Sequence, residues 1–540
     1  MSITAQQVSR AARTAAATTM SYALRCAMSA LCCATIGLGC NEILGLDERY
    51  PFPAEAGPTG CKPGEEIECP YGGPDGTKGI GICRSPTQTC NAEGTGYESC
   101  QGEVLPAQEE CGAAGDEDCD GIPCSDTLWA NGFGDSAKQA ANDIAVDSAG
   151  NVFIVGTFSG AMRVGTTTLI ASNTDIFLAK FDAFGVPIWA KQFGGQNTLS
   201  YGVAADLSGN VIISIAGAID FGGGMLPDGI ALAKFDGTGA HLWSRSCGGS
   251  PVYYGAKPGG VAIDADGAVV IVESYEGTAN CGGGVLAANG LSNILVAKFD
   301  ANGVHAWSRA FFTELGYSYG YGVAVDVQRN ILFTGAANGT INFGGNDFTD
   351  GGAYLVRFAP DGAHSWSARF LGAEALDIAI DDLGGPAVIG RFSGSVSFGG
   401  PNLTAAGTTD VFIAKFNAAS GHVWSKAFGD SNKQLGTGIA IGSTGDLIAT
   451  GNFEGYTAFG TESLTSAGKA DVFVAKFDAA GTHKWSKRYG AGGDDQAWGL
   501  AVDGSANILV AGQFTDTVDF GTGDIASGGD FDAFLMKIAP

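Results

Sequence analysis

Six times in this chain a basic residue is followed nine positions later by tryptophan, across a phenylalanine and a glycine-bearing turn. The pairs are Lys180–Trp189, Lys234–Trp243, Lys298–Trp307, Arg357–Trp366, Lys415–Trp424 and Lys476–Trp485. A pattern that returns with constant internal spacing marks units that cannot bury their apolar faces alone and stack to do so. Upstream lies a second pattern, seen as Gly202-Val-Ala-Ala-Asp206, Gly322-Val-Ala-Val-Asp326, Gly438-Ile-Ala-Ile-Gly442 and Gly499-Leu-Ala-Val-Asp503, each followed by an apolar run such as Ile508–Phe514. These read as short strands separated by turns, at about 59 residues per unit. With 86 glycines in 540 residues and only 16% charged residues, coiled coils and helical repeats are excluded; a hydrophobic content of 45% excludes a disordered chain.

The upstream pattern occurs seven times, near Asp143, Gly202, Gly260, Gly322, Asp377, Gly438 and Gly499, but the complete basic-to-Trp hairpin occurs six times. The missing halves stand at opposite ends: Lys537 near the C-terminus has no Trp after it, and Trp129 at the start has no Lys before it. A ring whose first strand completes its last blade explains both. The expectation is an all-β fold, a seven-bladed β-propeller over residues 125–540 closed by its N-terminal strand, which leaves only short protected edges. Through Gly-Val-Ala-Val-Asp, Phe-Gly-Gly, Asp-x-Phe-x-Ala-Lys-Phe-Asp and Trp-Ser-Lys, this region resembles bacterial SBBP-type β-propeller repeat proteins. The resemblance implies a fold and an exported bacterial setting, and no common activity.

Residues 1–39 carry Arg10, Arg13 and Arg25 and no acid, then an apolar or small run from Ala27 to Gly39, too short to span a bilayer. They read as a signal peptide, with Met20 competing with Met1 as the start. Ile36-Gly-Leu-Gly-Cys40 resembles a bacterial lipobox, although Gly37 stands where that family prefers Leu. Cys40 is then the lipidated residue and 40–60, with Pro51, Pro53 and Pro58, a tether. The implied location is the bacterial cell envelope, at the outer membrane, with membrane contact through the lipid anchor only; ordinary secretory cleavage is the alternative. Residues 61–124 hold eight cysteines and read as a disulfide module, with 105 pairings leaving its connectivity open. It has no Cys-x-x-Cys pair and no histidine, which argues against zinc. Asp116, Asp118 and Asp120, followed by Gly121, alternate as in calcium loops, but Thr127 stands where an EF-hand needs a bidentate carboxylate. The stretch resembles thrombospondin type 3 loops and the Asp-Cys-Asp-Gly motifs of secreted myxobacterial proteins. Calcium is the one cofactor candidate, weighed evenly against an acidic turn fixed by Cys119 and Cys124.

A formal charge of −27 excludes nucleic acid as a partner. All five histidines, His241, His305, His364, His422 and His483, stand two residues before a blade Trp, which marks a structural position and removes most His-dependent enzyme classes. Two aspartate series, one led by Asp147 and Asp206, the other Asp175, Asp410, Asp471 and Asp532, also recur and are read as blade-to-blade bonding. Cys247 and Cys281 are expected to form one bridge. What breaks the repeat is aromatic: Tyr201, Tyr253, Tyr254, Tyr317, Tyr319, Tyr321 and Trp498, in connections that a propeller gathers on one face. These are the ligand-binding candidates, with channel packing as the competing reading. The function expected is a non-enzymatic, monomeric binding or scaffold lipoprotein for an envelope glycan or protein. The alternative is a carbohydrate-active hydrolase or lyase using acids on the propeller face.

Overall fold

The computed structural model describes residues 60–106 and 126–540, except 74–76, 80–82, 253–258, 287–288, 315 and 461 and the side chains of 196 and 197. Cys40, Asp116, Asp118, Asp120, Tyr253 and Tyr254 lie outside the described residues. The chain divides into two compact units, Met1–Cys124 and Ser125–Pro540.

In the first unit Glu66–Glu68 pairs antiparallel with Thr87–Thr89. Disulfides join Cys61 to Cys90 and Cys69 to Cys100, and Cys83 is also disulfide-bonded. Cys69, Cys83 and Cys90, with Ser85 and Pro86, make up its buried set among the described residues. Sulfur takes the place of an apolar core that so short and polar a segment cannot build.

The second unit has no helix among the described residues. Gln139–Val146, Val152–Val164, Thr167–Phe181 and Pro187–Phe193 run up and down as one antiparallel sheet. The same four-stranded meander recurs over Ser318–Phe370, Ala373–Phe428 and Gln434–Tyr489. A nine-stranded sheet within Gly195–Phe312 contains two more, joined where His241–Pro251 pairs with Val269–Ala279. In the last sheet, Gln496–Val502, Ile508–Phe514 and Asp532–Ile538 are completed by Thr127–Phe133, with Trp129 opposite Lys537. The leading strand of each meander touches that of the next, and Gln496–Val502 touches Gln139–Val146. The sheets therefore form a closed ring around these axial strands, which is a β-propeller.

The repeated motifs are the contacts of this ring. The opening glycine of the upstream pattern lets axial strands meet: a Cβ on Gly499 would stand 2.9 Å from Ile144, and one on Gly202 3.1 Å from Val261. Where Asp143 and Asp377 replace it, their carboxylates accept the N–H of Val203 and Ile439 in the next axial strand, at 2.9 and 3.0 Å. The aspartates that end the axial strands do not bond blade to blade, which corrects the expectation for that series. Asp147 accepts the turn N–H groups of Ala149 and Asn151, and Asp147, Asp206, Asp264, Asp326, Asp381 and Asp503 each pair with the Lys or Arg of their own sheet, at 2.6 to 3.6 Å. At the outer edge, Trp189 Nε1 of the fourth strand and Lys180 Nζ of the third both donate to the Gly237 carbonyl of the next sheet, at 3.3 and 3.2 Å. The histidines sit edge-on to a sheet phenylalanine, as His305 does to Phe299, and three of them bond the serine three residues on. The Cβ position of Gly400 lies 2.3 Å from the His422 ring, so the Phe-Gly-Gly glycines make room for imidazole.

Candidate functional site

Six of the axial strands carry an extra residue, a β-bulge that interrupts the pairing with the second strand, whereas Gly260–Ile263 pairs in unbroken register. The inserted residue is Asn142, Tyr201, Tyr321, Leu376, Thr437 or Trp498. Three of the aromatic candidates are thus variants of one structural position. Tyr201 and Tyr321 are buried there, Tyr321 against Ala336 and Leu376, and Trp498 is half-buried.

Tyr319 and Tyr321 lie on the strand Ser318–Val325 and Tyr317 immediately precedes it, and at spacing two the three side chains share one face. Their rings form a ladder, Tyr317 on Tyr319 at 6.1 Å and 8°, Tyr319 on Tyr321 at 6.0 Å and 12°. The inner end is enclosed and the outer end is open, with Tyr317 at 38% exposure. Backbone bonds fix the ladder: the Tyr317 N–H donates to Asn338 Oδ1 at 2.5 Å, and the buried Tyr354 hydroxyl donates to the Tyr319 carbonyl at 2.6 Å. Partial burial, the neighbouring Tyr317 and the acids Glu374 and Glu276 hold the Tyr319 hydroxyl above the usual tyrosine range.

Beside the open end is a pocket of about 540 Å³, lined by Tyr317, Tyr319, Asn338, Asp350 and Glu374 among others. Two ion pairs border it. Arg391 donates to Glu374 through Nε and Nη2 at 3.0 and 2.8 Å, and Arg369 stands 3.8 Å from Asp350. Asp350 adopts a φ of 69°, a left-handed conformation uncommon outside glycine, which aspartate tolerates. Asn338, Asp350, Glu374 and the two arginines lack any repeat signature, so sequence reasoning had no signal for them.

A second departure from the repeat is a carboxyl group. At the fifth position of the second strand, five sheets carry Gly156, Gly335, Gly390, Gly451 and Gly512, because the axial strand's carbonyl stands 1.9 to 2.0 Å from where a Cβ would be. In Val269–Ala279 that position holds Glu273, which is fully buried, and Gly259 immediately precedes the axial strand Gly260–Ile263. The exchange is reciprocal: a Cβ on Gly259 would lie 2.1 Å from Glu273 Oε2. Burial pushes the Glu273 carboxyl well above the usual range, with the Ser214 hydroxyl acting weakly in the opposite direction, and neither carboxyl oxygen has a hydrogen-bond partner. Aligning the repeats on their lysines would have exposed this residue.

No family model matches the chain. It is 21% identical over 533 residues, 76% of its own length, to the uncharacterized WD repeat-containing protein L264 of Acanthamoeba polyphaga mimivirus, and 26% identical over 137 residues, 25% of its length, to regulatory protein FlaEY of Caulobacter vibrioides. The chain spans 38% and 14% of the lengths of these curated relatives. Among solved structures it is similar to the WD40 β-propeller domain of Doa1, at a TM-score of 0.38 with 11% identity, covering 75% of this chain and 95% of that one. A streptogramin B lyase gives 0.38 and 11%, covering 75% and 98%. A puromycin hydrolase gives 0.39 and 11%, covering 70% and 51%.

Proposed function

We propose that this chain is an exported, lipid-anchored binding protein of the bacterial envelope, whose propeller has seven blades, two of them fused in the nine-stranded sheet. Its ligand docks in the pocket beside Tyr317 and Tyr319. The observation that carries this reading is the stacked, backbone-clamped tyrosine pair opening onto paired charges. Tyrosine supplies stacking area and a hydroxyl at low entropic cost. Because Asp350 and Glu374 each have an arginine beside them, a charged ligand would have to break an ion pair to enter. A neutral, hydroxyl-rich ligand can bridge both pairs intact, and this favours a glycan over a charged peptide. A volume of about 540 Å³ lies within the ordinary range for small-ligand sites.

The second reading, a carbohydrate-active enzyme, is favoured by one fact: two carboxylates, Asp350 and Glu374, line the same pocket as the tyrosines. Binding to glycan and peptide arrays, run beside glycoside hydrolysis and lyase assays, separates the two. The first reading requires neutral-glycan binding that Tyr317→Ala/Tyr319→Ala abolishes, with no turnover. Turnover lost on Glu374→Gln would establish the second.

A further inference from the structure

At three consecutive seams the sheets meet through the same backbone bond. The N–H of Gln434, Asp495 or Gln139 donates to the carbonyl of Thr409, Ala470 or Phe531 in the preceding sheet, at 2.9, 2.8 and 2.7 Å. The residue after each carbonyl is an aspartate heading a third strand: Asp410, Asp471 or Asp532. All six side chains are buried, at 5% exposure or less. Across a seam where the third strand is headed by Gly352, the matching position holds Ala373, so a polar head meets a polar partner and a glycine meets a methyl group.

Each seam has an oxygen left without a donor. Gln434 Nε2 donates to Asp430 Oδ1 and the Glu454 carbonyl, which orients its Oε1 as an acceptor, yet Gln434 Oε1 and Asp410 Oδ1 both lack a partner. The two converge on Gly429, whose Cβ position is 2.5 Å from the one and 2.7 Å from the other. Asp410 Oδ2 is occupied by the Ala406 N–H. At the third seam Asp532 Oδ2 accepts from Gly528 and Oδ1 has no partner, but Gln139 differs from Gln434: its Nε2 donates to Asp135 and the Ser159 carbonyl, and its Oε1 accepts the Asp135 N–H at 3.4 Å. At the middle seam, Asp495 replaces the glutamine. Asp471 Oδ2 takes Arg488 and the Ala467 N–H, and its Oδ1 has no donor. Asp471 Oδ1 and Asp495 Oδ2 each stand 2.9 Å from the Cβ position of Gly490.

Two buried acceptors facing one another cost free energy unless a hydrogen stands between them. We propose that Asp410 and Asp495 each bind a proton in the folded chain and donate it to Gln434 Oε1 and Asp471 Oδ1, so that these two seams are proton-operated latches. Protonated Asp495 is then the nearest carboxyl equivalent of the glutamine used on either side of it. The surrounding charges agree. Asp410 faces Asp430; Asp532 faces Asp135, with Lys138 turned away over the Phe531 ring; Asp495 faces Asp471 and Asp494, and the Arg488 guanidinium is spent on Asp471. Burial foremost, then these like charges, raises the Asp410 carboxyl and pushes Asp495 and Asp532 up to about 6.

A carboxyl raised in the folded state stabilises fully below its unfolded value and loses that contribution as pH rises through the folded one. Carboxyls held low elsewhere, such as Asp206, Asp381 and Asp503, act in the opposite direction and only below the usual aspartate range. The test is the melting temperature of the full chain between pH about 4.5 and about 7.5, where the wild type is expected to lose roughly 5 °C or more. Asp410→Asn/Asp495→Asn, made in a Glu273→Gln background so that Glu273 does not add to the slope, replaces each O–H by a permanent N–H donor to the same acceptor, so it should melt higher than its parent at the upper pH and lose part of the slope. If that variant does not fold, infrared titration of the Glu273→Gln chain reads the latches, through un-ionised carboxyl bands persisting at pH about 5. Equal destabilisation of the variant at both pH values, absence of those bands, or calcium raising the parent but not the variant melting temperature at the upper pH would each overturn the proposal.

Discussion

Trp129 and Lys537 donate to the same acceptor, the Ala183 carbonyl, at 3.2 and 3.0 Å, although Ala183 lies 54 positions from one and 354 from the other. The two ends of the propeller thus build one half-unit and grip the turn of the following sheet. The Trp129 ring also packs over Gly185, whose Cβ position is 2.6 Å from it. Ring closure therefore rests on a residue near the start of the repeat region. Trp129→Ala should cost about 3 kcal/mol, seen as a lower melting temperature and faster proteolysis at both ends. A variant in a middle sheet, Trp307→Ala, should leave the termini protected.

Asp446 offers a sharper check on the intrasheet ion pairs. Six axial strands end in aspartate, but Gln434–Ile441 has Gly442 there, and Asp446 reaches Lys476 at 3.2 Å from the far side of the turn. Asp446→Ala leaves a half-buried ammonium without its partner and should lower the melting temperature by about 4 °C. Gly442 has ordinary negative φ and no heavy atom nearer than 3.9 Å to its Cβ position. Adding Gly442→Asp should restore most of the loss, whereas a purely steric role for Asp446 would leave it unrestored.

The Cys247–Cys281 bridge closes 34 residues inside the nine-stranded sheet. On loop entropy alone its removal by Cys247→Ser/Cys281→Ser should cost about 3–4 kcal/mol. Thermal melts with and without reductant check this, the double variant being expected to show no response from this bridge.

Complete burial holds the Glu273 carboxyl well above the usual range. That raised carboxyl makes stability fall as pH climbs above the usual glutamate range. Glu273→Gln should match wild type near pH about 4.5 and exceed it near pH about 7.5. Glu273→Ala should be destabilised near pH about 4.5, having lost buried volume.

Much of the propeller was legible because a closed ring makes every unit face the same neighbours, and identical surroundings select identical residues: Trp over the next turn, Lys against Asp, His over Phe. Even the closure could be read from Trp129 and Lys537, since each half-unit carries a recognisable fragment of the repeat. What the repeat could not convey is partnership. The aspartates looked like bonds between blades, but the turn that follows them bends their carboxylates back toward their own sheet's lysine. Tyr201, Tyr321 and Trp498 read equally as ligand contacts or as channel packing, and the bulge puts each of them at one position, where Tyr201 and Tyr321 are enclosed.

The sequence by itself determined the strand order, the repeat length, the half-unit at each end and the cysteine-for-core substitution in the N-terminal unit, because these depend on local pattern and on residues at constant spacing. Only the tertiary structure decided which tyrosines reach solvent, which acids meet across a seam, and that Glu273 fills the space left by Gly259. Those outcomes depend on the distance between groups on neighbouring sheets, a quantity set by the curvature of the whole ring rather than by any one unit.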